Sequence, residues 1–156
     1  MFDVVAKTSH PAEWTNVWTA LGAIATWALF VGVFVQIRAA RKDRRGWETL
    51  ATCERYESDP ILDQCSRTLR AARLSGDIDL HPELYKLDAL TILNYLDGIA
   101  IGIDLGHYDG KIVQREMKDI VNALIDIYLV SDLAVRMEIY PDSFAALLAL
   151  RKKWGR

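Results

Sequence analysis

A long uncharged segment constrains this chain more than any other feature. From Trp14 to Ile37 the sequence holds no charged side chain, and Glu13 and Arg38 flank the segment. A helix rising about 1.5 Å per residue covers roughly 36 Å over this length, which exceeds a hydrocarbon core of about 30 Å. We therefore predict a transmembrane helix over residues 16–37, preceded by an external tail over residues 1–15.

A cluster of basic residues follows the segment directly. Five of them lie within eight positions: Arg38, Arg41, Lys42, Arg44 and Arg45. The other flank has only Lys7, against Asp3 and Glu13. Because Lys and Arg collect on the cytoplasmic side of a membrane helix, we expect the N-terminus outside and the rest of the chain in the cytoplasm. The same five residues are predicted to contact lipid head groups.

A membrane anchor has two alternatives. A cleaved signal peptide needs a positive n-region and a small-residue cleavage site, but here the positive charge lies on the other side of the segment and no such site follows Ile37. A core helix of a soluble protein rarely runs uncharged for this length and then meets a dense basic cluster. The sequence favours the anchor over both.

Small residues lie along one face of the predicted anchor, namely Ala25, Ala28 and Gly32. Small side chains allow two membrane helices to approach closely. We therefore expect a homo-oligomer or another protein partner, in addition to the lipid bilayer.

The remainder of the chain is nearly neutral. Without Lys7, Asp3 and Glu13, the 19 basic and 21 acidic residues become 18 and 19. Such a balance does not indicate nucleic-acid binding. Two cysteines, Cys53 and Cys65, would face a reducing compartment and are expected to be free thiols.

Helical spacing and helix-boundary residues dominate after the anchor, so the predicted fold is all-α: one transmembrane helix continuing into a cytosolic bundle of about five helices. Residues 38–58 form a basic amphipathic helix next to the membrane, and residues 59–156 form the helical domain. Asp59 and Asp109 are predicted N-caps, and Gly76 is a predicted helix end. The stretch Asp77–His81 is predicted to be a linker before a long buried helix over residues 82–105.

Asn94 and Asp97 lie one turn apart on that long helix, where buried polar groups need partners. One interpretation is a polar network that sets the packing of the helices. The other is a ligand- or partner-binding site formed by Asn94, Asp97 and Arg136.

Familiar catalytic motifs are missing from the sequence. It contains no Gly-x-x-x-x-Gly-Lys, no Gly-x-Gly-x-x-Gly, no His-Glu-x-x-His and no Gly-x-Ser-x-Gly. Asp104, His107 and Asp109 share one turn, but their spacing matches no known metal motif. We therefore expect no catalytic residue, no metal and no cofactor, and the sequence favours a non-catalytic protein over an enzyme.

Several segments resemble a bacterial family of uncharacterised proteins, domain-of-unknown-function family 4760. The similarity lies in Ile92–Asp97, in Ile99–Ile103, in the glycine-containing turn that follows, and in the basic-aromatic stretch Arg44–Trp47. The family pattern leads us to expect Glu more often than Asp at position 97. The resemblance implies an N-terminal membrane helix and a small helical cytosolic domain, and hence the bacterial inner membrane. It transfers no activity.

Three functional hypotheses follow. The first is a single-pass inner-membrane protein that displays a non-catalytic helical module for protein interaction or self-assembly. The second is a membrane effector or sensor, such as those of antiphage or toxin-type defence. The third is a hydrolase or nuclease that uses Asp97, Asp104 and His107.

Overall fold

The computed structural model describes residues 11–155, with side chains described from Trp18 onward. Residues 1–10 of the predicted tail, and Arg156, lie outside the described part. Every regular element in residues 11–155 is helical, and no strand occurs among them, which confirms the all-α prediction. The chain divides into two units, residues 1–42 and residues 43–156.

The first helix, α1, runs from Pro11 to Ser58 and contains the predicted transmembrane segment. From Trp18 to Lys42 all of its side chains are exposed within the chain. Its most apolar 18-residue window has a mean hydropathy of 2.0, and none of that window is buried. Among the described residues, this one helix is long and apolar enough to cross a membrane.

The second unit begins with the last part of α1, residues 43–58. Six further α-helices follow: α2 over Pro60–Ser75, α3 over Asp77–Leu80, α4 over Pro82–Asp104, α5 over Gly110–Ile125, α6 over Asp132–Arg136 and α7 over Ala145–Trp154. A π-helical turn over Asp126–Val130 extends α5, and a 3₁₀ turn over Pro141–Phe144 precedes α7. Since α3 and α6 are single turns, the number of longer helices is close to the predicted five.

The core of this unit is built around α4, against which α2 and α7 pack. Ile92, Leu93 and Leu96 of α4 are at most 1% exposed, and Ile125 of α5 and Leu147 of α7 are fully buried. The scarcity of charge in the middle of α4 explains this central position, because a helix that is apolar on several faces must be covered on several faces.

The predicted helix boundaries are confirmed. The Asp59 carboxylate accepts a hydrogen bond from Ile61 N at 2.9 Å and so caps α2. Gly76 ends α2 with φ 75°, a left-handed conformation that costs glycine little. Asp109 caps α5. These boundaries depend on residues close together in the chain.

The predicted linker after Gly76 differs in the structure, because most of it forms the single turn α3. The turn is held by a hydrogen bond from His81 N to Asp77 O at 2.8 Å. Ile78 anchors it in the core at 2% exposure, and the Tyr85 hydroxyl donates to the Asp77 carboxylate. Burial of one side chain therefore stabilises a helical turn that the local sequence does not predict.

Candidate functional site

Asp97, a predicted binding residue, has a partner inside the fold. Its Oδ1 accepts a hydrogen bond from Leu147 N at 2.9 Å. Leu147 lies in the first turn of α7, whose N-cap position is held by Phe144 without a side-chain hydrogen bond. Asp97 thus supplies, from α4, the acceptor that the first turn of α7 lacks.

Asn94 and Arg136, the other two residues of the predicted site, take no part in this hydrogen bond. Asn94 is exposed, whereas the Arg136 guanidinium lies 3.6 Å from an Asp79 carboxylate oxygen and donates to the Asp79 carbonyl. Within residues 18–155, no hydrogen bond or ion pair joins Asn94, Asp97 and Arg136. A site formed by these three residues stays a prediction, and Asp97 and Arg136 are each occupied in joining helices.

The residues of the hydrolase hypothesis are spread between different environments. Asp97 is half-buried at α7, while Asp104 and His107 are exposed. Asp109, in the same turn, accepts from Lys111 N at 2.9 Å as the cap of α5. The described part of the chain contains no group of three His, Cys, Asp or Glu side chains placed to hold a metal ion.

The five basic residues predicted to contact lipid fall into two sets. Arg38, Arg41 and Lys42 belong to the first unit and are exposed. Arg44 belongs to the second unit and forms an ion pair with Glu48 at 2.8 Å. Lipid contact by these side chains stays a prediction, which their exposure permits.

Arg45 is the member of the cluster with a role inside the bundle. It is half-buried, and its guanidinium donates to the carbonyl of Tyr108 in the turn before α5. One helical turn later, fully buried Thr49 accepts from Asp109 N at 2.9 Å and donates to the Arg45 carbonyl at 2.7 Å. These bonds attach residues 43–58 of α1 to the α4–α5 turn.

The predicted small-residue face lies in the first unit. Ala25, Ala28 and Gly32 are all exposed within the chain. A Cβ placed at Gly32 would meet no atom within 4 Å. The face is therefore free for a second helix, and its use in assembly stays a prediction.

A groove of about 650 Å³ lies in the second unit, between the end of α1, α2 and the α5 helix with its π turn. We call it the α2–α5 groove. Its apolar lining includes Leu69 of α2, Ile92 of α4, Leu124 of α5 and Ile127 of the π turn. Leu69 and Ile92 are buried, at 3% and 1% exposure, and so form a rigid floor.

Charged groups stand along the α2 side of the groove. Arg70 and Arg73, one turn apart, line it, and neither forms an ion pair with a described residue. Asp63 also lines it, but forms an ion pair with Arg67 at 2.8 Å. Glu57 is the remaining carboxylate of the lining. With Asp63 neutralised by Arg67, the groove carries a small excess of positive charge.

Tyr128 is the most deeply placed polar side chain of the groove. It lies on the π turn and is 2% exposed, and its hydroxyl makes no hydrogen bond with a described residue. Burial raises the pKa of Tyr128 to about 12, while the nearby Arg73 acts in the opposite direction. The group is therefore a neutral O–H donor at physiological pH. Of the other hydroxyls in the lining, Tyr56 and Ser66 contact each other at 3.4 Å.

The lining of the groove is mainly apolar, with a few polar side chains. Its described lining residues include no His and no Cys. The groove combines an apolar floor with a few polar groups, as small-molecule sites do.

Sequence reasoning missed this groove. In the sequence, Arg67, Arg70 and Arg73 recur at helical spacing, which by itself indicates only a polar face of α2. The available signal was a tyrosine on an otherwise aliphatic face, since a buried phenol requires a partner. The position of Tyr128 opposite α2 could not be predicted from the spacing of residues along the sequence.

Comparison with protein families identifies the chain. The family model "Domain of unknown function (DUF4760)" matches residues 19–154. The chain belongs to this family. No curated protein and no solved structure matches it.

The family resemblance includes Ile92–Asp97, Ile99–Ile103 and the turn that follows, and the structure gives these segments defined places. Asp97 reaches α7, and Gly102 lies beneath the ring of Tyr108. These segments therefore join α4 to α7 and to the turn before α5. The α2–α5 groove lies mainly on other residues.

Proposed function

We propose that this DUF4760 protein is a single-pass membrane protein of the bacterial inner membrane, with a non-catalytic helical module for self-assembly. The observation that carries the proposal is the exposure of the apolar part of α1. Leu29, Phe30 and Phe34 are 70%, 68% and 63% exposed, respectively. A contiguous apolar surface of this extent is unstable in water and is typical of a membrane or an interface.

The alternatives to an anchor fit α1 less well. A core helix of a soluble protein can be as long and as apolar as a membrane span, but it is mostly buried. The apolar 18-residue window of α1 is not buried at all. A signal peptide has its positive charge before the apolar segment. Here the helix instead continues past Arg38 to Ser58.

The orientation we propose has the N-terminus outside and residues 43–156 in the cytoplasm. Arg38, Arg41 and Lys42 are exposed at the end of the apolar segment. Each is available to an anionic leaflet, where a Lys or Arg contributes about 1 kcal/mol. The positive-inside bias supports the same orientation.

Self-assembly is supported by the face formed by Ala25, Ala28 and Gly32. In lipid, helices associate through close packing, because the hydrophobic effect does not act between them. The second unit adds exposed leucines on α4, with Leu84 at 67% and Leu87 at 75% exposure. They are three residues apart and therefore share one side of the helix, which offers an apolar surface to a second copy.

A sensor or effector, as in antiphage or toxin-type defence, is the second candidate function. The α2–α5 groove favours it, because an apolar floor bordered by Arg70, Arg73 and the Tyr128 hydroxyl has the composition of a ligand site. The hydrolase or nuclease hypothesis gains no such support, since Asp97 caps α7 and the other two residues are exposed.

Alkaline extraction of bacterial membranes tests the anchor and its orientation. The full chain with a C-terminal tag is expected in the membrane pellet after carbonate washing. The tag is expected to resist protease in intact spheroplasts and to be cleaved after lysis. Release of the chain by carbonate would contradict the anchor, and cleavage of the tag in intact spheroplasts would contradict the orientation.

Leucine substitutions test self-assembly. Ala28→Leu adds bulk on the small-residue face and is expected to weaken association by about 1–3 kcal/mol through overpacking. Ala23→Leu is the matched control, since a helix of 3.6 residues per turn places position 23 on the opposite face. Cross-linking in membranes measures the oligomer fraction. Equal fractions in the two variants, or no oligomer in the parent chain, would overturn this part of the proposal.

A further inference from the structure

We propose that the α2–α5 groove binds a small, water-soluble organic anion with an apolar body. The inference goes beyond the proposed function and does not depend on it, because the groove is formed entirely by residues of the second unit. It rests on three features of the groove: the apolar floor, the cations on its edge and the hydroxyl of Tyr128.

The floor sets the requirement for an apolar body. Leu69 and Ile92 are buried within the bundle at the base of the groove, and half-buried Leu124 and Ile127 border it. These side chains belong to four different elements that the core holds together. A hydrocarbon or aromatic group in this space would remove water from the apolar surface that half-buried Leu124 and Ile127 leave accessible.

The edge sets the requirement for negative charge. Arg70 and Arg73 have no carboxylate partner among the described residues. Arg67, on the same helix, forms an ion pair with Asp63. Glu57 is the one lining carboxylate not engaged in an ion pair with a described residue, so the two arginines exceed it in charge. An anion between them would gain two guanidinium donors, which suit carboxylate and phosphate oxygens.

Tyr128 sets the position of the anionic group. Tyr128 is 2% exposed as a residue, and its hydroxyl makes no hydrogen bond with a described residue. The oxygen is not among the fully buried unpartnered atoms, so it is open to the groove and available to a ligand. Arg73 is close enough to Tyr128 to act on its ionisation. An oxygen of the ligand bound to both groups would satisfy the hydroxyl and oppose the charge of the guanidinium.

The size of the groove indicates a small molecule. About 650 Å³ lies within the range of roughly 300–1,000 Å³ that is typical of small-molecule sites. A nucleic-acid strand tracks a longer positively charged path, whereas two arginines beside a glutamate form a single point of attachment. A single anionic group with an apolar body of modest length fits this lining.

Three probes with one apolar body test the proposal: 4-phenylbutyrate, 4-phenylbutan-1-ol and 4-phenylbutylamine. The full chain is placed in phosphatidylcholine nanodiscs, so that no anionic lipid competes, and empty nanodiscs correct for partition into lipid. Saturation-transfer NMR titrations give the dissociation constants. We expect the carboxylate to bind at least tenfold more tightly than the alcohol, and the amine to bind most weakly.

Matched variants locate the binding. Arg73→Gln is expected to weaken binding of 4-phenylbutyrate at least fivefold and to leave binding of the alcohol unchanged. Lys111→Gln is the control, because Lys111 is an exposed cation of α5 that does not line the groove. Binding of 4-phenylbutyrate to this variant should equal binding to the parent chain. Glu57→Gln removes the opposing carboxylate and should tighten binding of the carboxylate.

Tyr128→Phe tests the hydroxyl alone, and its melting curve shows whether the fold is retained. The expected result is weaker binding of 4-phenylbutyrate and a smaller preference for the carboxylate over the alcohol, since Arg70 and Arg73 remain. If Tyr128→Phe unfolds, Arg70→Gln replaces it, since Arg70 is exposed. Equal affinities for the three probes, no binding of 4-phenylbutyrate, or equal effects of Arg73→Gln and Lys111→Gln would each overturn the proposal.

Discussion

Close packing around Gly102 shows how much one residue can decide in this fold. After α4 the chain turns back on itself, and His107 N and Tyr108 N both donate to Gly102 O, at 2.8 and 3.2 Å. The ring of Tyr108 then covers Gly102, so that a Cβ there would lie 2.4 Å from two ring carbons. Glycine is therefore required by space, and the turn that presents Asp109 to Thr49 depends on it.

Gly102→Ala is expected to lower the free energy of unfolding by about 1–3 kcal/mol, since overpacking must displace the Tyr108 ring. The matched change is Gly98→Ala on the same helix, where a Cβ would meet no atom within 4 Å. At position 98, the higher helix propensity of alanine should raise the free energy of unfolding by about 0.5–1 kcal/mol.

Thermal unfolding followed by circular dichroism, with the full chain in mild detergent, measures both variants. Opposite signs are expected for the two substitutions. A Gly102→Ala variant as stable as Gly98→Ala would contradict the packing of Tyr108 against α4.

At the scale of elements, the junction of α4 and α7 depends on one hydrogen bond between distant residues. Asp97 lies on α4, and Leu147 N, its donor, lies 50 residues later. The carboxylate satisfies a first-turn N–H and also faces the positive end of the α7 dipole. The two helices are thereby held in one register, which is the structural interpretation of Asp97.

Asp97→Ala is expected to destabilise the bundle by about 1–2 kcal/mol, because it removes the acceptor from a helix N-terminus. Asp97→Asn retains an acceptor oxygen and should lose less than half of that. Asp104→Ala is the control on the same helix: its side chain is exposed at the C-terminal end of α4, so its effect should stay within about 0.5 kcal/mol.

Denaturant unfolding of the three variants gives the free energies. If Asp97→Ala were as stable as the parent chain, Asp97 would not be required for the α4–α7 junction. The binding site suggested for Asn94, Asp97 and Arg136 would then gain support.

At the scale of the whole molecule, burial of weak acids couples stability to alkaline pH. Burial, with Glu116 and Glu54 nearby, raises the pKa of the Cys53 thiol to about 11 from its usual 9.0. Burial also raises the pKa of Tyr95 to about 12, as it does for Tyr128. The folded chain therefore holds these protons more tightly than the unfolded chain does.

The sign of the effect follows from those shifts. Below about pH 9 the three groups are protonated in both states, and their contribution to stability is fully present. As the pH rises from 9 to about 12 the unfolded chain loses protons first, so the free energy of unfolding falls. We expect melting temperatures that are level at neutral pH and decline over this window.

Cys53→Ala tests the thiol within that decline. Between pH 9 and 11, where the thiol titrates, the melting temperature of the variant should fall less than that of the parent chain. At higher pH, where the tyrosines titrate, the two should fall alike. Melting temperatures measured at half-unit steps of pH show the difference. Identical slopes in the parent chain and the variant would contradict the burial of Cys53.

The sequence by itself determined where the helices begin and end and which segment suits a membrane. Asp59, Gly76 and Asp109 act on backbone groups within a few residues of themselves, so their effect can be predicted without the fold. The uncharged segment likewise depends on length and composition alone. Local causes of this kind explain why the all-α class and most boundaries were predicted correctly.

Only the tertiary structure decided which distant groups meet. The partner of Asp97, the use of Arg45 inside the bundle, and the groove between Arg73 and Tyr128 all depend on contacts across many residues. The helix over Asp77–Leu80 belongs here too, because burial of Ile78 stabilises it. Helical spacing specifies on which face of its helix a side chain lies. Packing of the whole core determines which other helix that face contacts.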